Sequence, residues 1–240
     1  MTKLSNQDAI NAWASAHDHV DDFGDEGDFT RQQLLNPAIF ALLGPVAGCK
    51  ILDAGCGQGY LCRLLAQRGA IVTGVEPAEP WYRRAVERER RERLGITYLQ
   101  QDLSNLTDPR GEFDAVVANM VLMDIPDDEA ALHNCVLSLR PGGSLILSLL
   151  HPCFEEPSAE WGQKGYVEVS EYLREHTRQQ AFAPVFHRPL SHYLNLVIDE
   201  GCILRRIVEP GLDPSWSASG PTYERNVHVA SVITIHAIKA

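Results

Sequence analysis

Short apolar runs alternate with amphipathic stretches along most of this chain, and the two patterns predict different elements. Runs rich in Val, Ile and Leu predict buried strands, whereas apolar residues at helical spacing predict the helices between them. The predicted strands cover residues 50–54, 70–75, 96–99, 113–122, 144–150, 203–208 and 227–237. Strands that alternate with helices are typical of a parallel sheet. We therefore predict an α/β fold with a doubly wound, mostly parallel sheet of seven strands.

The first predicted strand runs into the glycine-rich turn Gly55-Cys56-Gly57-Gln58-Gly59, and a helical stretch follows. Strand, glycine turn and helix are typical of a nucleotide-binding sheet, in which the ligand lies across the carboxyl ends of the strands. Glycine suits this turn because a Cβ would keep the backbone away from the ligand. The dinucleotide-binding pattern G-x-G-x-x-G requires a further glycine where this chain has Tyr60. Asp53 would also repel a pyrophosphate, and it suits a ligand that carries an ammonium and a sulfonium group.

The pattern Asp53-x-Gly55-x-Gly57-x-Gly59 resembles the first motif of the class I S-adenosylmethionine-dependent methyltransferases. Glu76 after the second strand is similar to the second motif of that family, and Leu139-Arg140-Pro141-Gly142-Gly143 is similar to another of its signatures. The resemblance covers residues 27–150 well and residues 187–210 more loosely. It implies a Rossmann-like methyltransferase fold and S-adenosylmethionine as the cofactor.

The resemblance also implies which residues bind the cofactor. Glu76 would hold both ribose hydroxyls, because one carboxylate can accept two hydroxyl donors. Asp102 would accept the adenine amino group, and Arg31 would meet the methionine carboxylate as a guanidinium fork. The loop after the fourth strand would pack under the adenine and face the methyl acceptor. The complete predicted set is Arg31, Asp53, Gly55, Cys56, Gly57, Gly59, Glu76, Pro77, Asp102, Leu103, Asn119 and Met120.

Two less regular segments are predicted to cover the site as a lid: an N-terminal cap at residues 1–30 and an insertion at residues 151–190, after the fifth strand. Three histidines, His17, His151 and His187, are candidates for a base that takes a proton from the acceptor. His151 is the best placed of them, because it directly follows a strand whose end faces the cofactor crevice. The alternative for His151 is a histidine hydrogen-bonded to its own loop.

The amino-acid composition restricts the kinds of partner that the protein is expected to bind. A formal net charge of −11 disfavours a nucleic-acid or anionic-membrane partner, which would call for a basic face. No run approaches the length of a membrane-spanning helix, and the N-terminal residues lack the regions of a signal peptide, so a cytoplasmic location is expected. The six cysteines form no C-x-x-C pair, and no metal site is predicted.

We therefore predict an enzyme of one domain, residues 1–240, that transfers a methyl group to a small or medium organic acceptor at oxygen, nitrogen or carbon. Displacement at a carbon that a positive sulfur already activates mainly requires positioning. Met123 and Asp124, beside the fourth strand, are candidate pocket walls. The alternatives are an NAD(P)-dependent oxidoreductase on a Rossmann fold and a non-catalytic S-adenosylmethionine-binding domain. Tyr60 disfavours the first, and the intact glycines and acidic positions disfavour the second.

Overall fold

A computed structural model describes residues 4–16, 18, 24–107, 110–154, 161–180 and 183–240. Its strands are β1 (Lys50–Ala54), β2 (Ile71–Val75), β3 (Thr97–Leu99), β4 (Phe113–Asn119), β5 (Leu139–Leu150), β6 (His176–Gln179), β7 (Pro184–His187), β8 (Cys202–Val208) and β9 (Val232–Lys239). Its helices are α1 (Asn6–Ser15), α2 (Asn36–Leu43), α3 (Tyr60–Ala66), α4 (Glu79–Glu92), α5 (Asp128–Ser138), α6 (Trp161–Lys164), α7 (Leu190–Asp199) and α8 (Pro221–His228).

The main sheet of the described chain has seven strands in the order β3-β2-β1-β4-β5-β9-β8. Strands β1 to β5 are parallel, and β9 runs antiparallel between β5 and β8. Ile51 of β1 pairs with Val72 on one side and with Ala115 on the other, so the chain switches direction across the sheet at the boundary between β1 and β4. The predicted doubly wound, mostly parallel sheet is therefore confirmed, and ligands of such sheets bind at this switch point.

Each face of the sheet carries its own apolar cluster. Leu52 and Ala54 of β1 pack with residues of α5 and α7, whereas Ile51 packs with residues of α2 and α3. Alternate residues of a strand point to opposite faces, so a strand covered by helices on both sides must be apolar throughout. This accounts for the continuous apolar runs that predicted these strands.

Residues 29–43 have apolar residues at helical spacing, which is typical of one regular helix, but the segment contains a wider turn. Arg31–Leu35 form a π-helical turn that continues into α2, and the backbone N–H of Asn36 donates to the carbonyl of Arg31. Pro37 has no N–H to donate, which removes one of the hydrogen bonds that a regular helix would make here. Such π turns are frequent at functional sites, and this one begins at a predicted cofactor residue.

The N-terminal helix α1 is attached to the carboxyl edge of the sheet. The rings of Trp13 and Trp81 meet edge to face with centroids 6.1 Å apart, and Trp81 Nε1 donates to the carbonyl of Trp13 at 2.8 Å. Asn6 Nδ2 donates to Ser104 Oγ at 2.6 Å, just after β3. Helix α1 therefore lies across the ends of β2 and β3, within the segment predicted as a cap.

The insertion after β5 is more regular than the sequence predicted. It contains the short helix α6 and a hairpin of β6 and β7, in which His176 pairs with His187. Short strands of mixed polarity have no clear apolar alternation, so the pattern did not predict them. Val185 of β7 is buried in the main core, and β7 lies next to the turn Leu122–Asp124 that follows β4.

The last predicted strand, 227–237, begins too early. Val227 lies in the last turn of α8, which starts at Pro221 and ends at His228, and strand β9 follows from Val232. Alternating apolar and polar residues at 227–229 resembled a strand, but proline in the first turn favours a helix start at 221. Val227 packs against the core from this helix.

Replacing Gly59 by alanine should destabilise the fold more than the same change at Gly48. Both glycines have left-handed backbones, with φ of 77° and 78°, so both variants carry a similar backbone strain of about 1–2 kcal/mol. Only the Cβ at position 59 would collide with the hydroxyl of Tyr98, whereas the Cβ at position 48 meets nothing within 4 Å. Urea unfolding should show an additional loss of at least about 1 kcal/mol for Gly59→Ala.

The added loss should shrink when Tyr98→Phe removes the colliding hydroxyl from the Gly59→Ala variant. Equal losses for Gly59→Ala and Gly48→Ala would show that the turn and Tyr98 do not pack as described.

Candidate active site

A cleft of about 1000 Å³, partly open to solvent, lies at the carboxyl ends of β1, β2 and β4 beside the switch point. Its walls come from the turns that follow these strands, from the end of β3, from the π turn and from α1. Eleven predicted cofactor residues line it: Arg31, Asp53, Gly55, Cys56, Gly57, Glu76, Pro77, Asp102, Leu103, Asn119 and Met120. The twelfth, Gly59, is not part of the lining; it precedes α3 with a left-handed backbone.

The glycine turn presents bare backbone to the cleft. The N–H groups of Gly55 and Cys56 both donate to the carbonyl of Val75 at 2.9 Å, which ties the turn to the end of β2. Gly57 has φ of 54°, and a Cβ built there would meet no protein atom nearer than Trp81 at 3.9 Å. A side chain at this position would therefore occupy space in the cleft that a ligand can use.

Glu76 bridges two turns with its carboxylate. It is 8% exposed, and its two oxygens accept from the backbone N–H of Gly57 at 3.0 Å and of Ala78 at 2.8 Å. Burial raises the pKa of Glu76 to about 7, although both backbone hydrogen bonds lower it. A carboxylate offers about four acceptor positions, so roughly two remain for a ligand, enough for a pair of neighbouring hydroxyls.

Asp53 is the next-to-last residue of β1, two residues before Gly55 of the glycine turn. It is 1% exposed, and the thiol of Cys62 donates to its Oδ2 at 3.0 Å. Burial raises the pKa of Asp53 to about 6. Burial likewise raises the pKa of the thiols of Cys56 and Cys62, so these cysteines stay protonated beside the carboxyl group.

Asp102 connects the end of β3 to the N-terminal helix. Its oxygens accept from the backbone N–H of Ser104 at 3.0 Å and from the Ser104 hydroxyl at 2.8 Å, and Asn6 Nδ2 lies 3.4 Å from Oδ2. The carboxylate is thereby fixed at the far end of the cleft from β4. Leu103, its neighbour, is buried in the core.

A chain of hydrogen bonds fixes the β4 side of the cleft. Ser148 Oγ donates to Asn119 Oδ1 at 2.6 Å, Asn119 Nδ2 donates to the Tyr60 hydroxyl at 2.6 Å, and that hydroxyl lies 3.2 Å from Asn36 Oδ1. Burial raises the pKa of Tyr60 well above its usual range, so the phenol stays neutral. Of these residues, only Asn119 was predicted from the sequence. For the other residues of this hydrogen-bonded chain the sequence signal was weak, because each is a single polar residue within an otherwise apolar stretch.

Arg31 and Asp124 face the same side of the cleft. The Arg31 guanidinium donates to Asp28 at 2.5 Å and lies over the ring of Tyr60 at 6.0 Å. Asp124, which was predicted only as a pocket wall, is 8% exposed. Burial raises the pKa of Asp124 to about 8, and the Arg31 charge lowers it only in part.

The two candidate bases that the structure describes, His151 and His187, are not brought into the cleft. His151 Nε2 pairs with Glu209 at 2.7 Å, and its Nδ1 accepts from the backbone N–H of Cys153 at 3.2 Å. His187 Nε2 donates to the carbonyl of Tyr172 at 2.9 Å, and neither histidine lines the cleft. His17 lies outside the described residues. Both rings already have hydrogen-bond partners outside the cleft, so a basic role for these histidines stays a prediction.

Neither a membrane-spanning helix nor a metal-binding cluster is found in the described ranges of the chain. No helix there is long and apolar enough to cross a membrane. No group of three or more His, Cys, Asp or Glu side chains in those ranges is arranged to hold a metal ion.

Known proteins share both the sequence pattern and the architecture. Residues 52–147 match the family model of a methyltransferase domain. A ubiquinone biosynthesis O-methyltransferase from Coxiella burnetii is 36% identical over 108 residues, which cover 45% of this chain and 46% of the relative. A crystal structure of an S-adenosylmethionine-dependent methyltransferase from Mesorhizobium loti has a TM-score of 0.73 at 26% identity and covers 85% of this chain and 96% of that one.

A second solved structure, from Listeria monocytogenes, has a TM-score of 0.70 over 85% of this chain and 96% of that one, and at 22% identity it shows a likeness of fold. The chain spans about half the length of the curated relatives it matches.

The switch-point cleft, the glycine turn and the strand-end carboxylates define a nucleotide-binding α/β protein. Residues 52–147 thus match the methyltransferase domain family, and over 85% of its length the chain is similar to an S-adenosylmethionine-dependent methyltransferase of known structure. None of the proteins reported above is an oxidoreductase, so the NAD(P)-dependent alternative has no support. The cofactor of this family is S-adenosylmethionine, and the bare backbone at Gly57 beside the two open acceptor positions of Glu76 fits its ribose.

The buried carboxyl group of Glu76 should make the folded state less stable as the pH rises. Its pKa is raised from 4.5 to about 7, so between these values the folded state binds more protons than the unfolded state, and stability falls with pH. The free energy of unfolding of the wild type, minus that of Glu76→Gln, should fall by about 3 kcal/mol between pH 4.5 and 8.

Urea unfolding at several pH values measures this difference. Glu79→Gln, an exposed change three residues along the chain, serves as the control and should leave the pH profile of the wild type intact. A wild type and Glu76→Gln with parallel profiles would show that Glu76 is solvated.

Proposed function

We propose that this chain transfers a methyl group from S-adenosylmethionine to a small or medium organic acceptor. One observation carries the proposal: Glu76, buried beside the bare backbone of Gly57, keeps acceptor positions open toward the cleft. A vicinal diol such as a ribose fits that arrangement. The bound cofactor supplies a methyl carbon that its positive sulfur already activates. The protein therefore mainly has to hold the cofactor and the acceptor in the correct orientation.

The binding assignments follow the chemistry of each side chain. Glu76 would accept both ribose hydroxyls and Asp102 the adenine amino group, at the ends of the neighbouring strands β2 and β3. Asp53, with a single thiol donor from the chain, would pair with the ammonium group of the cofactor. Arg31 would bind the cofactor carboxylate, exchanging or sharing its contact with Asp28. The ribose, adenine, ammonium and carboxylate groups of the ligand then each meet a partner of opposite or complementary character.

We also propose that α1 and the insertion with β7 cover this cleft as a lid. Asn6, Ile10 and Trp13 of α1 line the cleft, and Val185 of β7 is buried near the turn that carries Asp124. Covering the site would exclude water from the reacting groups and hold the acceptor in line with the methyl group. The Gln58 amide reaches over the same edge and donates to the carbonyl of Gly24 at 2.6 Å.

The acceptor is proposed to be a small molecule. The relatives from Coxiella burnetii are named for O-methylation in ubiquinone biosynthesis, which supports an oxygen acceptor among the possibilities. A net charge of −11 supports a small molecule over a nucleic acid, because a polyanion would be repelled. The cytoplasmic location expected from the sequence stays a prediction.

Calorimetric titration tests the cofactor site. S-adenosylhomocysteine should bind the wild type, and Glu76→Ala and Asp53→Ala should each weaken binding at least tenfold, about 1.4 kcal/mol, because each removes a buried polar partner of the ligand. Glu79→Ala is the matched control: the same substitution at an exposed position on the same loop-helix segment should leave the affinity unchanged.

The same titration with NAD separates the alternatives. NAD binding without S-adenosylhomocysteine binding would overturn the proposal in favour of an oxidoreductase. Full affinity in a folded Glu76→Ala variant would mean that the ligand lies elsewhere. A protein that binds S-adenosylmethionine tightly but never forms S-adenosylhomocysteine with any acceptor would be a binding domain without methyl transfer.

A further inference from the structure

Asp124 differs from the other carboxyl groups of the cleft. Asp53, Glu76 and Asp102 each accept hydrogen bonds from the chain, as described above. The carboxyl group of Asp124, at the end of the turn after β4, receives no hydrogen bond and no ion pair from any described residue, although it is 8% exposed and lines the cleft. A buried polar group without a partner costs free energy, so such a group at a ligand site indicates a partner on the ligand.

The arginines near Asp124 are paired with other carboxylates, so neither of them forms an ion pair with its carboxyl group. Arg31, from the π turn, lowers its pKa, but that guanidinium is paired with Asp28. The guanidinium of Arg188, which follows β7, donates to the carbonyls of Ile125 and Pro126 and is paired with Asp128 at 3.1 Å. Asp53 of β1, Tyr60 of α3 and Glu76 after β2 line the same cleft. Among the elements that contact the turn of Asp124, β7 carries His187, and α5 carries Asp128, Glu129 and His133.

The charge balance of the cleft therefore favours a cation. Four carboxyl groups line it, Asp53, Glu76, Asp102 and Asp124, and Arg31 is the basic side chain among its described lining. S-adenosylmethionine carries two cations, an ammonium and a sulfonium, and the assignments above leave the sulfonium without a partner. Its product, S-adenosylhomocysteine, keeps the ammonium and has lost the sulfonium charge.

We propose that Asp124 pairs with the sulfonium end of bound S-adenosylmethionine and makes the site prefer the charged methyl donor to the neutral thioether product. This inference rests on the proposed function. It also links the turn Leu122–Asp124 to the reacting end of the cleft, where β7 and the insertion approach.

The pairing gives Asp124 a different charge before and after the reaction. The carboxyl group has a pKa of about 8 in the free protein, so it is mostly neutral at pH 7, and a cation beside it shifts it to the ionised form. When a hydroxyl or amino acceptor bonds the methyl carbon through its lone pair, the carbon–sulfur electron pair stays on sulfur and the sulfonium charge is lost. The proton that the acceptor releases then has a place on the Asp124 carboxylate.

Proton release on binding tests this directly. Calorimetric titrations at pH 7 in phosphate and in Tris, whose ionisation enthalpies differ, report the protons exchanged with each ligand. In the wild type, S-adenosylmethionine should release close to one proton more than S-adenosylhomocysteine does, because only the sulfonium ionises Asp124. At pH 9 this difference should vanish, since Asp124 is already ionised before the ligand binds.

Asp124→Asn should abolish the difference in proton release at pH 7. It should weaken S-adenosylmethionine at least about tenfold relative to S-adenosylhomocysteine at pH 9, while the affinity for S-adenosylhomocysteine changes less than about threefold. Asp127→Asn is the control: it removes a charge three residues away, keeps a capping side chain on α5 and should behave as the wild type.

The outcomes separate this inference from the function it rests on. If neither ligand binds the wild type, the proposed function fails. If both bind, and Asp124→Asn keeps the wild-type affinity ratio and proton release, the proposed function stands and the role of Asp124 is overturned. Thermal unfolding confirms that the variant is folded, so a loss of both affinities together also counts against a selective role.

Discussion

Negative charge inside the protein costs free energy, and this cost falls on the carboxyl groups of the cleft. Burial raises the pKa of Asp53, Glu76 and Asp124 to about 6, 7 and 8, so ionising any of them in the folded chain costs free energy. These groups contribute less to folding than apolar residues of the same size would. Their concentration at one edge of the sheet makes sense for a ligand that brings compensating cations and hydroxyl donors. The site is therefore poised for binding at the expense of stability.

Backbone geometry decides where these groups meet. Parallel strands end at the same edge, so residues that follow β1, β2 and β4 converge although they lie far apart along the chain. The left-handed glycine turn brings the Gly57 N–H onto the Glu76 carboxylate, and this links the first two strands at the ligand edge. Helix α1 then reaches the same edge through Asn6. The strand ends, the glycine turn and helix α1 therefore line the same cleft.

The sequence predicted the sheet and its ligand edge, because apolar runs define β1 to β5 and their ends must converge. It did not predict the β6–β7 hairpin, whose residues have no clear period, or α8, whose end alternates apolar and polar residues as a strand does. The strand order predicted which edge of the sheet binds the ligand, but it could not predict where side chains after a strand end would point. His151 follows β5, yet its ring is hydrogen-bonded to Glu209. The hydrogen bonds from Ser148 to Asn119 and Tyr60, and the isolation of Asp124, depend on contacts between distant elements that no local pattern contains.

The central claim is that the carboxyl groups at the strand ends hold an adenosyl ligand. A crystal structure of the protein with S-adenosylhomocysteine measures it most directly. The account predicts both ribose hydroxyls within hydrogen-bonding distance of Glu76, the adenine amino group at Asp102 and the ligand backbone against Gly57. Ligand density outside this cleft, or a ribose that leaves Glu76 with its two backbone donors alone, would contradict it.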